Sequence, residues 1–452
     1  MEKKPRILLA RLDQIGTEFS LAKLGIKHMP MGILYLAAVL LKDGFTDLRI
    51  CDEIVGDSIE EAIRDFRPDI VGMTTPSPLF YRAGEVTDLA HRAGCKVILG
   101  GPHPTAQPDN VLKECDADLA IMGEGELTML DICRGRDPAE IKGLIYRDNG
   151  QIIRNEPGPR VEDIDTFPFP ARHLLDLKKY RGDNEMGFHV KKNENCLRLF
   201  TSRGCKYECI FCARHIIFGR IPRYRSLENI MGEIEEGINR YGIRKVVFMD
   251  DTLTEDEERV MEISEEILRR NMDIRWACFS RVGTRGEILK VMHRSGCRMV
   301  GYGVESGSQK VLDGIKKKIE IGEIEDSFKI TRKLGIRTKA FFIVSLPGEG
   351  EKEFQETLTL ARKICPDYVV VSIFTPLPGA EAYDRIMQHG EIIKNRRSFF
   401  HTADKALHKR QKRFLFHYYL SWPYFRNVIL SFNAGEIAYF LSNVKNFLFL
   451  RA

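Results

Sequence analysis

Residues 200–215 read Phe200-Thr201-Ser202-Arg203-Gly204-Cys205-Lys206-Tyr207-Glu208-Cys209-Ile210-Phe211-Cys212-Ala213-Arg214-His215. Three cysteines, Cys205, Cys209 and Cys212, stand at the spacing C-x-x-x-C-x-x-C. Thiolates this close together can wrap one loop around one small object, zinc or an iron–sulfur cluster, the alternative being ordinary buried thiols. A structural zinc site would need a fourth ligand, for which His215 is the nearest candidate. Such sites usually draw their ligands from two pairs, and no second pair follows: Cys278 and Cys297 stand alone. A 4Fe–4S cube held by three cysteines keeps one iron free of protein ligands, and an open coordination position is what distinguishes a catalytic metal site from a structural one.

The sequence around the cysteines predicts a regular α/β domain. Leu197–Thr201 reads as a strand that leads into the cysteine loop. Further strands are expected at 245–249, 274–280, 299–304, 338–344 and 368–374, with helices at 226–241, 256–271, 286–294, 323–334 and 352–364 between them. Six strand–helix units of this kind make a partial TIM-like barrel over 196–385. Polar residues gather at the strand ends, where barrels carry their active sites: Asp250 and Asp251, Arg281, Glu305 and Ser306, and the stretch from Ile343 to Glu349. Each has a structural alternative. Asp250 and Asp251 could cap the next helix, Arg281 could pair with a carboxylate, and Glu349 could be a loop charge.

The first third of the chain has the same alternation, with strands expected at 5–12, 48–51, 69–74, 96–99 and 118–122 and helices at 31–43, 59–66 and 82–93. This predicts a doubly wound parallel sheet over 1–135, whose ligands bind beyond the carboxyl ends of the strands. Thr74 and Thr75 close one strand and Gly100-Gly101-Pro102-His103 another. Two glycines let a flat ligand come close to the backbone. The same residues would serve an ordinary flavodoxin-like turn equally well.

Residues 136–195 change character. A hairpin is expected around Asn149-Gly150, and Pro157, Pro159, Pro168 and Pro170 then mark a semi-rigid strap expected to pack against the barrel. After Glu391, basic and aromatic residues dominate, including Phe399, Phe400, Phe414, Phe416, Trp422 and Phe425. This predicts a helical region over 386–452 that packs on the barrel or lies on a membrane surface.

The 452 residues carry eleven cysteines and a net charge of +5. That charge is small for the length and does not point to nucleic acid. No apolar run reaches membrane-spanning length and no signal peptide is visible, so a cytoplasmic protein with reduced thiols is expected.

The cysteine loop, with Phe211 before its last cysteine, resembles that of the radical S-adenosylmethionine (SAM) superfamily. Residues 5–135, with Pro30-Met31-Gly32-Ile33-Leu34-Tyr35 and Gly100-Gly101-Pro102-His103-Pro104-Thr105, resemble the cobalamin-binding domain that precedes many radical SAM domains. The resemblance implies that Cys205, Cys209 and Cys212 hold a 4Fe–4S cluster whose open iron chelates SAM, and that reductive cleavage yields a 5′-deoxyadenosyl radical. It implies SAM contacts by Asp250, Asp251, Arg281, Glu305, Ser306 and Ile343. It also implies cobalamin contacts by Thr74, Thr75, Gly100, Gly101 and His103. A D-x-H-x-x-G motif supplying a cobalt ligand is absent. The implied function is methyl transfer to an unactivated carbon, with oxidative cyclisation or rearrangement, or a cofactor-binding sensor, as the alternatives. The implied partners are a small-molecule or lipid substrate and a reductant such as flavodoxin or ferredoxin.

Overall fold

The computed structural model describes residues 4–13, 27–182, 194–388, 405–431 and 437. Two compact units emerge. One is built from Met1–Arg181, Cys212–Arg225 and Leu377–His401, the other from Gly182–Phe211, Ser226–Pro376 and Thr402–Ala452.

The first unit is organised on seven strands: β1 (Ile7–Arg11), β2 (Leu48–Asp52), β3 (Ile70–Thr74), β4 (Lys96–Gly100), β5 (Leu119–Ile121), β6 (Leu144–Asp148) and β7 (Gln151–Arg154). Their order is β2-β1-β3-β4-β5-β6-β7. The first five run parallel, and β6 and β7 are antiparallel. The unbroken apolar runs are explained by burial on both faces: every residue of β1 is buried, with Met31–Lys42 and Ile59–Phe66 among the helices covering the sheet. The order 2-1-3-4-5 switches direction between β1 and β3, and ligands of such sheets collect at that switch point.

Two sequence expectations change here. The hairpin around Asn149-Gly150 forms, but as the antiparallel edge of this sheet and not as part of a linker. The proline strap was expected against the barrel, yet it packs on the first unit. Ala171 N donates to Leu34 O at 3.1 Å, and the Tyr180 hydroxyl donates to Asp52 at 2.9 Å. Composition showed that the strap would be buried but could not show which surface would receive it.

The second unit has six parallel strands in sequence order: β8 (Leu197–Leu199), β9 (Lys245–Phe248), β10 (Arg275–Ser280), β11 (Cys297–Glu305), β12 (Arg337–Val344) and β13 (Tyr368–Ile373). Neighbours in sequence are neighbours in the sheet, the order that consecutive strand–helix crossovers produce. Helix boundaries follow local capping chemistry. Ser226 Oγ accepts from Asn229 N at 3.2 Å to start Leu227–Tyr241, and Asp256 rather than Asp250 or Asp251 caps Glu257–Arg269. The helix Lys405–Tyr419 packs on β13, with Phe414 and Tyr418 fully buried. Phe399 and Phe400 lie outside the described residues.

Candidate active site

In the second unit, β8 ends at the entry to the cysteine loop. The Asp250 carboxylate, at the end of β9, accepts from Thr201 N at 3.1 Å, Thr201 Oγ1 at 2.9 Å and Ser202 Oγ at 2.5 Å. Burial raises its affinity for a proton while these donors oppose that shift. Asp250 is therefore the post to which the base of the loop is tied. Gly204 then takes φ +102°, a left-handed conformation that suits glycine, and turns the chain toward Cys205.

The far side of the loop is also gripped. Ile210 N donates to Ile315 O at 3.1 Å, and Lys318 Nζ donates to Glu208 at 3.1 Å. Arg281, just beyond β10, lies 3.8 Å over the Tyr207 ring and directs Nη1 to Cys209 Sγ at 3.9 Å. Its Nη2 donates to the carbonyls of Lys317 and Lys318. A buried guanidinium is thus fixed against a thiol of the loop. The sequence suggested Arg281 as a partner for a carboxylate. Its tertiary neighbours are a sulfur, an aromatic ring and two carbonyls.

The eleven cysteines divide sharply by exposure. Cys51, Cys95, Cys115, Cys133, Cys196, Cys278, Cys297 and Cys365 are buried, and only Cys205, Cys209 and Cys212 are partly exposed. Burial pushes the Cys51 and Cys133 thiols up to about 12, so they stay protonated and inert. The three reachable thiols are the three of the motif. Among the described residues no three His, Cys, Asp or Glu side chains are gathered tightly enough to hold a metal ion. The donor set and its accessibility suit an iron–sulfur cluster. His215 has its imidazole affinity for a proton lowered by burial and by Arg220, and its ring bonds the Cys212 backbone.

Glu305 ends β11 at φ +65°. Its carboxylate takes a 2.7 Å hydrogen bond from Lys317 Nζ, both side chains being under a tenth exposed. The pair leaves no room for a side chain at Gly303, where a Cβ would lie 2.7 Å from Glu305 and 2.8 Å from Lys317. Ser306 faces inward, with its hydroxyl 3.2 Å from Thr357 Oγ1. Ile343 is half-buried on β12 and Phe211 half-buried in the loop. Ser345, next after β12, adopts φ +64° and keeps a buried hydroxyl without a hydrogen-bond partner. Glu349 is not a loose loop charge: it accepts from Leu346 N at 3.1 Å and lies 3.4 Å from Arg410. Sequence reading passed over Lys317 and Ser345, because the signal of each is long-range or conformational.

In the first unit, the ends of β3 and β4 form one cradle. Thr75 N donates to Gly100 O at 2.7 Å and His103 N donates to Thr75 O at 2.9 Å. Gly101 has φ +95°, and a Cβ there would lie 3.0 Å from Thr74 Oγ1 and 3.3 Å from Thr75 N. Thr75 is fully buried, and its hydroxyl has no hydrogen-bond partner. An orphaned hydroxyl beside a backbone stretch with no side chain is what a polar, close-lying ligand would complete. His103 is buried: its Nδ1 is 3.1 Å from Ser77 Oγ and its ring centroid 4.0 Å from that of Phe80. It supports the turn. Thr105 ties the cradle to the end of β5, accepting from Gly123 N at 2.9 Å. Next to it, Glu124 forms a buried ion pair with Arg223. At the ends of β1 and β2, Arg11 lies 3.5 Å from the buried Asp52, a cluster the sequence did not announce.

Comparison with known proteins agrees with both halves. The family model for the radical SAM superfamily matches residues 199–361, and that for the B12 binding domain matches residues 18–132. An uncharacterized methyltransferase of Pyrococcus horikoshii is 32% identical over 395 residues, covering 85% of this chain and 84% of that protein. The anaerobic magnesium-protoporphyrin IX monomethyl ester cyclase of Rubrivivax gelatinosus is 28% identical over 382 residues, 80% of this chain and 67% of that protein. Among solved structures, the radical SAM methyltransferase TsrM from Kitasatospora setae, with cobalamin and a 4Fe–4S cluster bound, superposes with a TM-score of 0.68. It shares 18% identity and covers 85% of this chain and 74% of its own, a likeness of fold.

Proposed function

Because the chain belongs to the cobalamin-dependent radical SAM enzymes, we propose that it is a C-methyltransferase acting on an unactivated carbon of a small-molecule substrate. Its cofactors are a 4Fe–4S cluster, SAM and cobalamin. The observation that carries the reading is the partition of the thiols: three of eleven can reach a metal, and all three sit in one loop. The 32% relative, which is named as a methyltransferase, favours methyl transfer over cyclisation.

When bound, the three groups supply a carbon-radical source and a methyl group. The rest of the work falls to the chain. Cys205, Cys209 and Cys212 are the candidate cluster ligands, with Asp250 tying down the entry to their loop. Phe211, Asp251, Glu305, Ser306 and Ile343 are candidate neighbours of SAM. The charge of Glu305 is held in place by Lys317. Thr74, Thr75, Gly100 and Gly101 are candidates for the corrinoid, with His103 behind them as support. No helix among the described residues is long and apolar enough to cross a membrane. A cytoplasmic site with reductant from a flavodoxin or ferredoxin fits an oxygen-sensitive cluster.

The test is anaerobic turnover with SAM and a reductant, with both SAM-derived products counted. A methyltransferase of this kind consumes SAM in two ways and releases both 5′-deoxyadenosine and S-adenosylhomocysteine. Release of 5′-deoxyadenosine without S-adenosylhomocysteine would overturn methyl transfer in favour of cyclisation, the reaction named for the Rubrivivax relative.

Arg281 adds a second expected result. A fixed cation 3.9 Å from a ligand sulfur stabilises the more negative, reduced cluster. Arg281→Met should therefore lower the midpoint potential measured in an EPR-monitored titration, while Arg281→Lys should recover part of the loss. An unchanged potential in Arg281→Met would show that the guanidinium acts on structure, through Tyr207 and the Lys317 and Lys318 carbonyls, and not on the cluster's potential.

A further inference from the structure

The helix Lys405–Tyr419 and the short helix Trp422–Asn427 have two unlike faces. The inner face is locked to the second unit. Phe414, Tyr418 and Tyr424 are fully buried, and the Tyr424 hydroxyl donates to Asp367 O at 3.1 Å. Arg410 reaches inward to the buried Glu349, while Arg413 pairs with Glu351 at the surface.

The outer face is apolar and basic. Phe416 is 56% exposed, Leu420 70%, Trp422 68%, Phe425 46% and Leu430 67%. These are five of the nine large hydrophobic side chains that stand exposed among the described residues, and they fall within 416–430. Phe416 and Leu420 are four apart and share a helical face. Trp422 stacks on Phe425 with ring centroids 5.8 Å apart. Lys409, Lys412 and Arg426 are exposed among them, and no Asp or Glu occurs from Lys405 to Ser431. Indole and phenyl groups at a water-facing surface, interspersed with exposed cations on a segment that carries no acidic residue, match the boundary of an anionic bilayer. Lysine is depleted at protein interfaces, whereas Lys409 and Lys412 stand exposed within this patch.

We propose that this face is a docking surface for anionic lipid bilayers, seating Trp422, Phe425, Phe416 and Leu420 at the headgroup boundary and holding the enzyme peripherally. The inference does not depend on which reaction the enzyme performs.

The chain has two tryptophans, Trp422 and the fully buried Trp276, so the first reports on this surface directly. Reconstituted enzyme should sediment with vesicles of phosphatidylcholine and phosphatidylglycerol, with its tryptophan emission moving to the blue. Binding should drop about 30- to 150-fold on vesicles of phosphatidylcholine alone or in high salt, as expected when two to three cations contribute about 1 kcal/mol each. Trp422→Phe should abolish the emission shift with little effect on sedimentation. The charge reversal Lys409→Glu with Lys412→Glu, at two exposed positions, should lower membrane binding by about thirtyfold or more and leave 5′-deoxyadenosine formation unchanged. Equal recovery in the supernatant with and without anionic vesicles would overturn the proposal. So would a blue emission that depends on protein concentration alone, since that would assign the face to a second copy of the chain.

Discussion

Cys209→Ala protein, reconstituted anaerobically with iron and sulfide, is expected to lack the broad visible absorption of a 4Fe–4S cluster and to form no 5′-deoxyadenosine above background. Removing one of three thiolates leaves two, too few to hold a cube that already keeps one iron free of protein. Folding should survive. Cys209 is partly exposed, and surface substitutions usually change stability by no more than about 0.5 kcal/mol. The contrast is Cys278→Ala. Cys278 is fully buried beside Cys297, and both that contact and burial hold its thiol protonated. Its replacement should keep the cluster and cost about 1–2 kcal/mol of stability, read as a lower melting temperature. Full iron content and intact SAM cleavage in Cys209→Ala would remove the basis of the proposed function.

The second large effect concerns cobalamin. Gly101→Val places a branched side chain at φ +95°, where even the first carbon meets Thr74 Oγ1 at 3.0 Å. The strain costs about 1–3 kcal/mol and the new bulk fills the cradle, so co-purified or added cobalamin should be lost on gel filtration. A folding defect could mimic this result, and Thr75→Val separates the two. The Thr75 hydroxyl is buried and has no protein partner, so its removal should stabilise the cobalamin-free protein by about 1 kcal/mol or more. If the hydroxyl instead contacts the corrinoid, the same change should weaken cobalamin binding about tenfold, the equivalent of about 1.4 kcal/mol. A higher melting temperature without cobalamin together with weaker binding is the expected pair. A higher melting temperature with unchanged binding would take Thr75 out of the site.

Most elements were legible because their signals are local. Helix Gly286–Arg294 ends where its apolar spacing ends, and Ile59–Phe66 starts where Ser58 can cap it, accepting from Glu61 N at 3.2 Å. The short helix Pro102–Ala106 was read as an irregular turn, since its two prolines mask a first turn that proline in fact tolerates. Site residues were harder. Asp250 was placed correctly at a strand end, but only the folded chain shows that it grips Thr201 and Ser202. Ser306 was also placed at a strand end, but only the folded chain shows that its hydroxyl lies 3.2 Å from Thr357 Oγ1. His103 turned inward, toward Ser77 and Phe80.

By itself the sequence determined the cysteine loop, the two runs of alternating strands and helices, and the strand ends at which polar residues collect. All of these depend on spacing along the chain, which covalent geometry and the helix and strand periods convert directly into local structure. Only the tertiary structure decided which of eleven thiols remain reachable, which surface receives the proline strap, and that Arg281 meets Cys209 while Lys317 meets Glu305. Those outcomes depend on contacts between residues far apart in the chain. Burial and pairing there are set by the packing of whole elements, which no local pattern encodes.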